Sequence, residues 1–588
     1  MDRIAAIDFE TSFDSHRSIS KMGEVEYVFH PETEIIGAAV AMSHREALWL
    51  RPDEIVPAIR ELNPDALVSH NAPFDRLVWR HFLGPIDLPW HDTLAISRMF
   101  LPRGMNADLD AVAKLLFGIP KLEMPKDQSF DAMGEYAKRD AELCLRIFQV
   151  LHPELPPLAD AVQLWATFSS SEPLIRLDVD LLREAVSEAE QAKSQSLEAA
   201  RRHWPELTEE TLRSTQKSTA LILSRYPAQP PSYRKDDFEA QAFFAQTEEL
   251  RVLFEARKQY ASNIHVSRAE RLIRIAESHP DRRCPMPLKA FSAGTRRFGG
   301  GAKINPQNLP RGSKIRHAMT APDGYVFVVS DSSQIELRKN FWFCRELAWL
   351  DLIYSGEDPY RHSASRLCSK PVEQITKDER RIGKALELGC QYRMGWRNFK
   401  VWCAGGPLGM DPIILSDQEA MQAINAFRSG KPNVVSMWSR LDAAMATLVQ
   451  GGEFLPSEAT DQVVIRKERI DLPEGYWLDY TGIRPSEFGM VYGVGDRVFS
   501  IHGGKLLENI IQALANIAIC RKLVDIHDRL QPLGGNVVLQ VHDEIVALVP
   551  KQHVEAAKAI VEEEMVRPLD WAEGLVFGCE TYVSEYYK

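Results

Sequence analysis

The chain has 588 residues, of which 45% are hydrophobic and 26% charged, with a formal net charge of −12. That length holds several domains with sizeable cores, and the composition is that of an ordinary soluble globular protein, which excludes disordered and fibrous classes. The longest apolar runs are strand-sized, leaving no membrane span, and the eight scattered cysteines contain no Cys-x-x-Cys pair that would indicate a disulfide framework or a zinc site. The N-terminus runs straight into Ile4-Ala5-Ala6-Ile7, so no signal peptide is expected and a reducing cytoplasm is the expected compartment. The acidic balance weighs mildly against nucleic acid. Basic residues nevertheless gather at Arg296, Arg297, Lys303, Arg311, Lys314 and Arg316, and again at Lys377, Arg380, Arg381 and Lys384, so net charge alone decides nothing.

The first 150 residues alternate short apolar runs with amphipathic stretches, the pattern of an α/β unit. Ile4–Phe9, Glu34–Ala41, Glu46–Leu50 and Ala66–Ser69 read as strands, and Leu109–Leu116 and Met133–Leu151 as helices. Asp8 and Glu10, at i and i+2, share one face of the first strand. Asp-x-Glu is a cheap pattern, and Asp417-Gln418-Glu419 is the same letters read as a first helical turn capped by Ser416. Asn71-Ala72-Pro73-Phe74-Asp75 follows a strand, Tyr136 and Asp140 stand one turn apart on a helix, and Asp92 reads as a helix cap. The joint Pro153-Glu154-Leu155-Pro156-Pro157 is the best first boundary. From about 160 to 285 the pattern is helical and charged, with long helices over Leu181–Arg202 and Phe238–Ser278 and breaks at Pro227, Pro230 and Pro231. It suits an arm touching a nucleic-acid backbone and equally a solvated helical linker.

The run Tyr325–Ser330 ends on Asp331. An unpaired carboxylate at the end of a buried strand costs several kcal/mol, which a metal partner removes; capping the following helix is the other use of an aspartate there. Val541-His542-Asp543-Glu544 lies between the runs Asn536–Gln540 and Ile545–Val549, a hairpin signature. Adjacent carboxylates at a tip repel each other and make sense around a hard divalent cation. Two strands presenting Asp331 and Asp543 would hold a metal pair about 3.5–4 Å apart, the arrangement that transfers phosphoryl groups. Between them Arg380, Lys384, Leu388 and Tyr392 recur at steps of four, one winding helical stripe. Its cations suit a triphosphate, or belong to a solvated basic face.

These segments resemble family A DNA polymerases over roughly residues 165–588. Asp331-Ser332-Ser333-Gln334-Ile335-Glu336-Leu337-Arg338 resembles motif A, Arg380, Lys384, Gly389 and Tyr392 match motif B, and Val541-His542-Asp543-Glu544 resembles motif C. The resemblance implies that Asp331 and Asp543 ligate the metals with Glu544 assisting, that Arg380 and Lys384 neutralise the triphosphate, and that Tyr392, Leu388, Gln334 and Glu336 meet the substrate, Glu336 excluding a ribose 2′-hydroxyl. It places His542 near the primer terminus, Arg297 on the primer side, Arg311 at the triphosphate and Gln512 at template or primer. Ser332, Leu388 and Arg393 depart from the usual family residues. Asp8-Phe9-Glu10, Asn71–Asp75 and Tyr136–Asp140 together resemble the three motifs of DEDDy 3′→5′ exonucleases, with Asp8, Glu10, Asp75 and Asp140 as metal ligands and Tyr136 positioning the attacking water.

The fold class implied is α/β multidomain: an RNase H-like exonuclease domain at 1–155, then a right-hand polymerase at 160–588. Within the latter a helical thumb takes about 165–290, the palm 291–355 and 435–588, and the fingers 356–434. Two Mg²⁺ ions per site, with Mn²⁺ as substitute, serve primer extension and proofreading. Primer-template DNA and deoxynucleoside triphosphates are the implied partners, with a helicase or processivity factor, no membrane, and a monomer. The chain opens directly on the nuclease motif, so no 5′-nuclease domain is expected and a phage or prophage enzyme in a bacterial cytoplasm is the nearest description. A nuclease with an inactive polymerase-like platform would be expected to lose Asp331, Lys384 or Asp543, and a non-catalytic scaffold or DNA-binding module the acids of both sites; all of these are present.

Overall fold

A computed structural model describes residues 3–234, 237–261, 263–407, 410–487, 489–495 and 497–588. The apolar run near the N-terminus forms the strand Ile4–Thr11, the centre of a five-stranded sheet. It pairs antiparallel with Ile35–Met42, which carries Leu48–Leu50 outside it, and parallel with Ala66–Ser69, which is followed by Trp90–Asp92 at the other edge. That last strand is three residues long, too short for a periodic signal, and was not among the expected elements. The helices Ala72–Phe82 and Phe130–Leu151 pack on this sheet, the second starting three residues earlier than its apolar periodicity suggests.

A second sheet is wholly antiparallel, in the order Asn536–Val541, Glu544–Pro550, Tyr325–Ser332, Cys579–Ser584. The hairpin and the Tyr325 strand are therefore neighbours, with Asp331 directly opposite Glu544. The helix Pro157–Ser171 covers the exposed edge of Asn536–Val541. Trp165 Nε1 donates to Val537 O at 2.9 Å and Ser169 Oγ to Val538 O at 2.7 Å, beside a register shift between Val537 and Leu539. Pairing and bulging of this kind remove the hazard of an open sheet edge. Behind the sheet runs Gly503–Leu530, a 28-residue helix buried on nearly every side.

The helical stretch differs from its expected form. Val179–Arg201 is one helix, but 238–278 divides into Phe238–Phe244, Glu248–Ala261 and Ile264–Ser278. The division lets the chain fold back and build a small separate core around Trp204, Leu212, Phe244, Leu253 and Phe254, in which the Phe244 and Phe254 rings stack at 4.3 Å. Apolar positions that continue a helical period across a turn cannot reveal the turn.

The basic segment is the helix Lys377–Gly389, started by a Thr376–Glu379 capping box and packed on Pro359–Cys368. Gly383 permits that packing, since an added Cβ would lie 2.0 Å from Tyr360 O. The helix ends before Tyr392, so the expected four-residue stripe carries Arg380, Lys384 and Leu388 only. Tyr392 sits in the turn beyond. Its carbonyl lies against Gly504, where a Cβ would approach to 2.6 Å, and Arg393 follows in the left-handed region at φ +71°. Arg393 binds Asp442 at 2.5 Å, and Asp442 accepts from Gly503 N, so the turn is tied to the start of the long helix. The Asp417–Gly430 helix has the expected capping box from Ser416 to Glu419. Among the described residues no helix is long and apolar enough to cross a membrane.

Two candidate active sites

The N-terminal acids converge through backbone geometry. Strand alternation puts Asp8 and Glu10 on one face of Ile4–Thr11. Phe9 N–H, between them, donates to Asp75 Oδ1 at 3.1 Å and draws the Ala72–Phe82 helix to the strand. Asp92 holds the start of that helix, accepting from Asn71 N and Ala72 N while capping its own helix through Leu94 N. Asp140 and Tyr136 come from the third element, Phe130–Leu151. Burial together with Glu10 and Asp140 holds Asp8 well above the carboxylate range, and burial with Asp140 pushes Glu10 up to about 8. Asp75 is raised by burial and by Asp8.

Sequence reasoning missed one member of this cluster. Lys121, from the loop between two helices, places its ammonium on Asp140 Oδ2 and 5.0 Å from the Tyr136 ring centroid. Burial opposes its charge, but Asp140 more than compensates and raises it. Nothing in the local pattern around Gly118-Ile119-Pro120-Lys121 marks that lysine. Asp140 Oδ1 is buried with no hydrogen-bond partner. An acceptor left without a donor among four carboxylates fits a site for hard divalent cations.

At the second site Ser332 N–H donates to Asp543 O at 3.0 Å, which brings the ends of the two strands together. Burial and Asp331 push Asp543 up to about 7. Asp331 Oδ1 and Gln334 Oε1 are buried and unpartnered, so the donor set again fits a divalent cation. Arg311 stands 3.6 Å from Asp331 and 3.9 Å from Glu544. Glu544 itself turns inward. Arg316 binds it at 2.8 Å, the Tyr587 hydroxyl donates to it, and the Arg316 guanidinium lies 3.7 Å over the Tyr587 ring. Arg316 was visible as part of a basic run; Tyr587, the penultimate residue, carried no signal.

Beside Asp543 opens a cavity of about 350 Å³, lined by Arg297, Gln334, Glu336, Leu388, His542 and Asn516 among others. Arg297 is paired with Glu336, and Gln334 and His542 take left-handed φ values of +55° and +57°. Such backbone is uncommon for residues other than glycine and clusters at functional sites. Tyr392 is raised by burial and by Glu336 and Glu508, which puts its hydroxyl in the same neighbourhood. Gln512 donates to Glu508 at 3.1 Å one turn away. Arg380 is engaged at 2.5 Å by Asp358, the cap of the neighbouring helix, while Lys384 lies half-buried between Arg380 and Leu388 on one face. Beneath that helix the buried pair Glu387–Lys431, at 2.7 Å, fixes its rotation, with Lys431 3.5 Å over the Trp349 ring.

Residues 242–446 match the family model described as DNA polymerase family A. Over 99% of both chains the protein is 25% identical to a DNA polymerase of Bacillus phage SP02. It is 24% identical to DNA polymerase I of Pseudomonas aeruginosa, over 96% of this chain but 64% of that longer one. Among solved structures, the POL domain of Pol1 from M. smegmatis, in complex with DNA primer-template and dNTP, superposes with a TM-score of 0.71 at 18% identity, over 99% of this chain and 95% of that one. Segment order and full-length similarity agree with that match: residues 242–446 are similar to DNA polymerase family A, within a chain similar throughout to DNA polymerases.

Proposed function

We propose that the protein is a template-directed DNA polymerase that adds deoxynucleotides to a primer 3′-hydroxyl and proofreads with a 3′→5′ exonuclease, the nuclease at 1–155 and the polymerase at 160–588. The observation that carries the first half is the closeness of Asp331 to Asp543, which lines a cavity that also meets Glu336 and Leu388 of the basic helix. Primer-template DNA and dNTP, present with the Pol1 structure, are the proposed partners here. In extension the primer 3′-oxygen bonds to the α-phosphorus while the bond to pyrophosphate breaks. Lys384, Arg380 and Arg311 hold the departing charge, a role suited to preorganised cations. Glu336, fixed by Arg297, narrows the sugar pocket.

In the nuclease, water attacks the terminal phosphodiester and the shortened strand leaves with its 3′-hydroxyl. Burial and Asp140 push Tyr136 up to about 12, so its phenol stays protonated and orients the water by hydrogen bonding instead of taking its proton. Mg²⁺ ions bound by Asp331 and Asp543, and by Asp8, Glu10, Asp75 and Asp140, would supply Lewis-acid activation of the attacking oxygen and neutralise the leaving one.

The test is a 5′-labelled primer on a longer template with Mg²⁺, with and without the four deoxynucleotides. Extension in the first lane and shortening in the second support both halves. If Asp8→Ala protein neither extends nor shortens the primer, the polymerase half of the proposal fails.

A further inference from the structure

The joint between the N-terminal sheet and the helix Pro157–Ser171 carries a cluster that neither proposed reaction uses. His91 lies on the edge strand Trp90–Asp92, His152 follows the Phe130–Leu151 helix, and Asp160 is in the first turn of Pro157–Ser171. His91 Nδ1 is 3.1 Å and His152 Nε2 3.2 Å from Asp160 Oδ1, and the three residues each bring one ligand atom within 4.8 Å of the others. A tetrahedral ion with nitrogen and oxygen ligands at about 2.0–2.2 Å separates them by roughly 3.3 Å. Two of the three separations already have that value.

The hydrogen bonds place the Gln163 amide on two of the same atoms. Asp92 N–H donates to Gln163 Oε1 at 2.8 Å and so orients the amide. Its NH₂ then faces His91 Nδ1 at 2.8 Å and Asp160 Oδ1 at 2.9 Å. A ring nitrogen that receives an N–H presents a lone pair. That lone pair is the only one on His91 Nδ1, so an ion takes it in place of the Gln163 N–H, whereas Asp160 Oδ1 has lone pairs for both. The rings cannot turn away. His91 is 1% exposed, with Phe148 at 5.0 Å and the His152 ring edge-on at 4.8 Å, and His152 stacks on Phe148 at 4.4 Å.

We propose that His91, His152 and Asp160 form a third metal site, which takes one zinc-class divalent ion with water in the fourth position and clasps the joint. Imidazole donors select zinc and its neighbours over Mg²⁺, so the site is chemically distinct from the two carboxylate clusters. Gln163 supplies an outer hydrogen bond to the Asp160 carboxylate at 2.9 Å. His152 and Asp160 are partly exposed, which gives an ion its path in. The ion would join the helix that carries Tyr136 and Asp140 to the helix that covers the Asn536–Val541 strand.

The test uses the untagged full chain, stripped with chelator and titrated with Co²⁺. Four-coordinate cobalt on imidazole absorbs visible light strongly, whereas cobalt on carboxylates and water absorbs weakly. One equivalent of the strong band, displaced by one equivalent of Zn²⁺ and lost in both His152→Gln and Asp160→Asn, is the expected result. Absence of the band from the wild-type protein, or its persistence in the two variants, overturns the proposal. Should both variants fail to fold, imidazole ¹⁵N shifts of the wild-type protein decide: two of the 16 histidines must move on adding one equivalent of Zn²⁺. If none moves, the cluster is a hydrogen-bonded ion pair only.

Discussion

Lys121 rests directly on Asp140 inside the N-terminal cluster, whereas the arginine nearest Asp331 stands 3.6 Å off with most of its side chain exposed. Both clusters crowd carboxylates into a small buried volume, and like charges at that spacing do not ionise together without a counter-charge. The first carries its counter-charge internally. The second moves it one layer back: Arg316 and Tyr587 absorb Glu544, which leaves Asp543 facing the cavity with Asp331 beside it. An internal cation keeps an enclosed site stable while empty. If the second site admits a triphosphate, as proposed, its more open floor leaves room for that charge.

The sharpest break of that comparison is functional. Asp543→Asn is expected to abolish extension and spare shortening, and Asp8→Ala the reverse, on the same labelled primer; equal loss of both activities in either variant would refute two separate sites. Next comes the layer behind Glu544. Arg316→Met leaves a buried carboxylate unpaired and is expected to lower stability by about 3–5 kcal/mol in denaturant unfolding. Tyr587→Phe, which removes one hydrogen bond to the same carboxylate, should lower it by about 1–3 kcal/mol.

A third prediction concerns pH in the presence of chelator. Asp543 is pushed up to about 7 and Glu10 to about 8, from ordinary values of 3.8 and 4.5. Both groups keep a proton in the folded state after the unfolded chain has released it. Their contribution is complete below about pH 4 and is lost as pH rises through 7 and 8. The melting temperature should therefore fall between pH 6 and 8.5, and Mn²⁺ should restore it at the alkaline end, where binding no longer has to displace protons. The smallest effect isolates the internal cation. Lys121→Met should melt below the wild-type protein in chelator, by a margin that widens from pH 5 to pH 8; a margin independent of pH would mean that Lys121 only packs.

Elements with a strong local period were legible in the sequence. The hairpin strands Asn536–Val541 and Glu544–Pro550, the strand ending near Asp331 and the Ser416 capping box lie where alternation and cap chemistry put them. So did the acids at both strand ends, because a carboxylate breaking an apolar run is conspicuous without any partner in view. What escaped was set by distance along the chain or by backbone turns. Lys121, Arg316 and Tyr587 meet their carboxylates across 19, 228 and 43 positions, beyond the reach of any periodicity. The breaks that divide residues 238–278, and the turn that takes Tyr392 off the basic helix, leave the spacing of side chains almost unchanged. Spacing alone cannot tell a helix from a helix followed by a turn.

The two hydrogen bonds from Trp165 and Ser169 to the Asn536–Val541 strand also decide where this protein can be cut. A fragment begun at residue 157 keeps the helix that closes the sheet. One begun at 172 would present a bare strand edge to every other copy in solution. The proposed boundary between the two sites and the start of a self-sufficient folding unit thus fall together at the first turn of one fifteen-residue helix.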